Sequence, residues 1–70
     1  MQIKLSDPAV VAEAVDFFWR VQCVAVAVSE DTIDVSLPNS FSERHERAEI
    51  TAYLRTWQVA HPNVEVEILD

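Results

Sequence analysis

The apolar residues of this chain change their period in a fixed order, and that order limits the folds open to it. From Gln2 to Leu5 they alternate, with Ile3 and Leu5 on one side and Gln2 and Lys4 on the other. Alternation places side chains on opposite faces of a strand, so a short first strand is expected there. Asp7-Pro8 then supplies a carboxylate N-cap followed by proline at the first helical position. A helix over residues 8–20 follows, with Glu13, Asp16 and Arg20 in one narrow polar stripe. Val10, Val11, Ala14, Val15, Phe17, Phe18 and Trp19 fill the rest of its circumference. That arc is wider than the roughly 100° of an ordinary surface helix, so cover beyond one sheet is expected.

Val21 to Val28, V-Q-C-V-A-V-A-V, is β-branched and uncharged, with Val24, Val26 and Val28 in one row and Cys23, Ala25 and Ala27 in the other. Ser29-Glu30-Asp31-Thr32 breaks the run, and residues 33–37 alternate as a half-buried strand. A second helix over residues 42–60 sets Ile50, Tyr53, Leu54, Trp57 and Ala60 at helical spacing. His61-Pro62-Asn63 stops it, because proline cannot continue the ladder. Val64, Val66 and Ile68 then alternate with Glu65 and Glu67 in a last strand. The order is β-α-β-β-α-β, which predicts an α+β, ferredoxin-like two-layer sandwich: one antiparallel sheet with both helices on one face. The alternative, if Gln2–Leu5 does not pair, is αββαβ on a three-stranded sheet.

Seventy residues predict a single domain spanning 1–70, and a chain of that length hides only about 60% of the surface its unfolded form exposes. Half of the residues are apolar, enough for a core. A lone cysteine, Cys23, forbids a disulfide within the chain. With no apolar leader, it points to a reducing, cytoplasmic setting and no membrane span. The net charge of −7 argues against a nucleic-acid partner and leaves a protein with a basic surface as the compatible one. Glycine is absent, so any residue with positive φ must be of another type. Asn39 and Asn63, each after a proline, are the expected positions.

The same absence removes glycine-rich phosphate loops. Metal carriers on this plan hold soft ions with a Cys-x-x-Cys pair after the first strand, and here that loop reads Ser6-Asp7-Pro8. The ligand loop of ACT domains relies on glycine. Leu54 to Ile68 resembles the helix–proline–strand entry of LysR-type effector domains, a local likeness that implies no function. No metal site and no cofactor are expected. Cys23, inside an apolar strand, reads as a small buried hydrophobe and not as a nucleophile.

Acid, base and imidazole meet only in S-F-S-E-R-H-E-R-A-E-I, residues 40–50. Arg44, His45, Arg47 and Glu49 are the candidates there for a partner or anion surface. His45 and Glu49 are four apart, on one helix face, but two ligands do not make a metal site. Helix-end chemistry accounts for most of the segment. Ser40 with Glu43, or Ser42 alone, caps; Phe41 staples; Glu43 pairs with Arg47; and Arg44 or Arg47 meets Asp70. No catalytic residue is assigned.

The uncharged second strand makes the stronger demand. At a sheet edge, such a strand invites pairing with another chain. Val21, Cys23, Ala25 and Ala27, with Val10 and Phe17 on the first helix, are therefore the expected self-association residues. The sequence thus predicts a small acidic regulatory module that forms a homodimer and binds a protein partner, with no catalysis of its own. A ligand sensor with a pocket between two subunits, and a dimeric enzyme using His45 and nearby carboxylates, are the alternatives.

Overall fold

The computed structural model describes residues 1–69. Strand β1 (Gln2–Leu5) leads through a 3-10 turn (Pro8–Val10) into helix α1 (Val11–Arg20). Strands β2 (Val24–Ala27) and β3 (Thr32–Ser36), helix α2 (Glu43–Val59) and strand β4 (Val66–Ile68) complete it. All strand pairings are antiparallel, in the order β2-β3-β1-β4. Because β1 pairs on both sides, the sheet has four strands and not the three of the alternative.

Register decides which face is buried. Ile3 lies opposite Ile33, and Ala25 opposite Val35, so these side chains share the face beneath the helices. Ile3, Ile33 and Val35 are fully buried there against Phe18, Ile50, Leu54 and Trp57. Burying one such side chain contributes about 1.5–3 kcal/mol, so this row supplies much of what a thin core can offer. Gln2, Lys4, Asp34 and Ser36 point to the opposite, open face. Val11, Ala14 and Phe18 are the buried side of α1. Its wide apolar arc divides, with Val10, Val15 and Phe17 partly covered at the flanks and Trp19 left exposed.

The element ends follow local chemistry. Asp7 caps the first turn, its Oδ1 accepting from the Ala9 N–H at 3.0 Å. Ser42, and not Ser40, caps α2, its Oγ accepting from the His45 N–H at 3.2 Å. Phe41 is 93% exposed, so the expected staple is not made. Both Pro-Asn pairs form the middle of turns. Ser40 N–H donates to Leu37 O at 3.2 Å, and Val64 N–H donates to His61 O at 3.0 Å. Neither turn needs positive φ; proline at the second turn position presets an ordinary negative one.

The positive φ falls instead at Gln22, at 73°. Gln22 N–H donates to Trp19 O at 3.2 Å and Cys23 N–H to Phe18 O at 2.9 Å, the paired bonds of a Schellman helix end. Its left-handed residue is normally glycine, which this chain lacks. The expected strand 21–28 is shortened for this reason, since Val21 and Gln22 are spent turning the chain. The reward is that Cys23 arrives facing the core beside Phe18, both buried.

On the open face Lys4 stands opposite Thr32 on β3 and Glu67 on β4. Asp34 is met by the Met1 ammonium, 3.3 Å from its Oδ1.

Replacing Gln22 with glycine removes a left-handed strain of about 1 kcal/mol and returns part of it as unfolded-chain entropy. Gln22→Gly is therefore expected to stabilise by about 0.5 kcal/mol, raising Tm by a few degrees. Gln22→Val, with a β-branched side chain at positive φ, is expected to destabilise by about 1 kcal/mol or more. Urea unfolding of the three proteins checks the order, and equal midpoints would contradict it.

Candidate functional site

The residues of segment 40–50 are placed by α2, and its bonds are structural. Leu37 N–H donates to Glu46 Oε2 at 2.9 Å, tying the loop after β3 to the first turns of α2. Glu46 was not singled out by sequence reasoning, because the bond joins two elements and leaves no local pattern. His45 is half-buried and packs edge-on against Phe41, ring centroids 5.5 Å apart. Arg44 and Arg47 are exposed and Glu49 is half-buried. The expected contact of Arg44 or Arg47 with Asp70 lies outside the described residues. Among the described residues no three His, Cys, Asp or Glu side chains come together to hold a metal.

The second histidine is the better connected. His61 stacks on Trp57 with centroids 4.1 Å apart and planes 14° apart. Its Nδ1 faces Trp57 O at 3.0 Å and its Nε2 faces Glu13 Oε2 at 3.3 Å, so the ring bridges the end of α2 to α1. Both partners are acceptors, and each contact is a donated hydrogen bond where that nitrogen bears the proton.

Cys23 and Ala25 were expected on a self-association surface, but they are 1% and 3% exposed and belong to the chain's own core. Val10, Phe17 and Val21 are partly buried against the same core, and Ala27 is exposed. What β2 offers outward is its other row, half-buried Val24 and exposed Val26, continued by exposed Val28.

The backbone edge of β2 can be read from its bonds. Val28 N–H donates to Thr32 O at 2.9 Å, so this pair is a bonded one. Alternation then directs the N–H and C=O groups of Val26 and Val24 to β3, and those of Ala25 and Ala27 to the open edge. The Trp19 indole Nε1 donates to Ala25 O across that edge at 2.9 Å. An aromatic ring thus covers part of the edge in place of the charge or proline that usually protects one.

The other edge, β4, is built differently. Ser6 N–H donates to Glu65 O at 2.9 Å and Leu69 N–H to Gln2 O at 2.9 Å. The backbone groups of Val66 and Ile68 therefore point away from β1, into solvent. Two shallow depressions border this strand. One, of about 310 Å³, is lined by Lys4, Leu5, Ser6, Glu65, Val66 and Glu67. The second, of about 400 Å³, lies between β4 and α2 and is lined by Thr51, Leu54, Arg55, Gln58, Val66 and Ile68.

Comparison with protein-family models, with curated proteins and with solved structures finds no match. No helix among the described residues is long and apolar enough to cross a membrane.

Among the described residues, Asp31 and Cys23 are shifted from their ordinary values. Hydrogen bonds from Thr32 and Ser29 hold the Asp31 carboxylate below its usual range in the loop between β2 and β3. Burial pushes the Cys23 thiol up, and the Glu46 and Glu49 carboxylates push it the same way. For a raised thiol the unfolded chain ionises first, so stability is full below the reference pKa of 9.0 and falls as pH rises above it. Unfolding midpoints measured on either side of that value are expected to drop more for the wild type than for Cys23→Ala. Equal drops would show that the thiol does not contribute.

Proposed function

We propose that this chain is a small acidic binding module on the ferredoxin-like plan, acting in the cytoplasm as a regulatory or accessory protein without catalysis of its own. It self-associates through β2 and binds a protein partner elsewhere on the sheet. The strand order β2-β3-β1-β4 supports the plan. The observation that carries the function is the composition of the β2 edge. It is an outermost strand with no charged residue from Val21 to Val28, and its outer-row residues Val26 and Val28 are 54% and 50% exposed.

A second copy fits that edge without electrostatic penalty. Antiparallel pairing about a two-fold axis at Val26 sets Val26 against its own copy, Ala25 against Ala27, and Val24 against Val28. Valine pairs across strands are favourable by a few tenths of a kcal/mol or more each. Trp19 uses one lone pair of Ala25 O, leaving Ala25 N–H and both backbone groups of Ala27 for the incoming strand. The acidic strand β4 lies three strand spacings away, about 14 Å, beyond the roughly 8 Å screening length at physiological salt. Asp34, the nearest carboxylate on the open face, is already paired with the Met1 ammonium.

Light scattering from micromolar to millimolar concentration is expected to show a rise from one to two chain masses. Val26→Lys places two ammonium groups directly opposite each other and is expected to return the protein to a monomer. Because Val26 is 54% exposed, that change leaves Tm nearly unaltered at concentrations where the wild type is itself monomeric. A wild type that stays monomeric across the whole range refutes self-association through β2.

A further inference from the structure

We propose that the β4 edge, with the groove between β4 and α2, takes an extended segment of another protein whose side chains alternate apolar and basic. The proposal names the partner and the site for the protein-binding half of the function given above and rests on that half alone.

Val66 and Ile68 present their N–H and C=O groups outward, and among the described residues no group bonds to them. An added strand satisfies these groups by the main chain, whatever its sequence. Selectivity then comes from the two faces on either side. Beneath the strand, Leu54, Val66 and Ile68 line the groove under α2, and Ile68 is 37% exposed although its row faces the core side. An apolar side chain of the incoming strand completes that row. On the open face, Glu65 and Glu67 alternate with Val66, and Glu67 shares Lys4 as its cross-strand neighbour. Two carboxylates beside one ammonium leave room for a basic side chain on the added strand. Arg55 at the groove rim repels basic groups from the apolar row, so the alternation has only one allowed phase.

A second copy of this chain is the wrong occupant here. The two-fold register that uses the backbone of both Val66 and Ile68 sets Glu67 directly opposite its own copy, and like charges facing across strands destabilise. Strand β2 carries no such charge. The two edges are therefore chemically suited to different partners.

The test is amide hydrogen exchange at Val66 and Ile68, with a synthetic peptide of alternating lysine and valine added to the full chain. At least tenfold protection of both amides is expected, and Glu65→Gln with Glu67→Gln is expected to weaken peptide binding at least tenfold at unchanged Tm. No protection overturns the proposal. So does equal protection by a peptide of the same composition with its lysines in one block, or by alternating glutamate and valine. Protection that grows with protein concentration in the absence of peptide overturns it in favour of a second copy. Light scattering on the same samples reads the β2 association separately. Peptide binding without dimer sinks only self-association, and dimer without peptide binding sinks only this site.

Discussion

The pairing of Ile3 with Ile33 at the centre of the sheet is the constraint on which everything else depends. Both side chains are fully buried, and both strands carry a second neighbour, β4 on one side and β2 on the other. A slip of one residue in this pair turns Lys4 and Asp34 inward and exposes Leu5 and Val35. The whole of the small core opposes that. Once the pair is set, parity passes outward through the ladder. It fixes that Ala25 and Ala27 offer their backbone at one edge and Val66 and Ile68 at the other. The candidate binding surfaces are thus consequences of a core register and not separate inventions.

The parts of the structure that were legible in the sequence are those governed by period. Gln2–Leu5 alternates and is a strand; the two helices lie within a few residues of their expected limits; Asp7 and Ser42 cap as their chemistry suggests. The parts that were not legible involve contacts between elements. The period of Val21 to Val28 cannot reveal that Val21 and Gln22 are consumed in ending α1, because that depends on Cys23 reaching Phe18. The absence of glycine correctly implied a left-handed residue of another type, but local preference named asparagine. The positive φ falls at Gln22 instead, where the helix end turns the chain and leaves both Phe18 and Cys23 buried. At β2, the alternating rows were readable and the side each faced was not, so Cys23 and Ala25 appeared available when the core had taken them.

The charged segment 40–50 is instructive for the same reason. Its density of acid, base and imidazole suggests chemistry, yet Ser42 accepts from the His45 N–H at the start of α2 and Glu46 from the Leu37 N–H in the loop after β3. Glu46 reaches back nine residues to Leu37, closing the loop that delivers α2 onto the sheet. His61, which looked like a mere helix stop, also reaches from the end of α2 to Glu13 of α1.

A two-layer domain this small has little choice about where to bind. Both helices contribute to one core on the sheet, and the two depressions described above lie beside β4. Unspent bonding capacity therefore collects at the two sheet edges and on the open face. The edges differ in the one property that sorts partners, since β2 is neutral and partly shielded by Trp19 while β4 is short and flanked by Glu65 and Glu67. On the function proposed above, the neutral edge takes its own copy and the acidic edge a basic partner, so charge placement on a common backbone geometry is what tells the two edges apart.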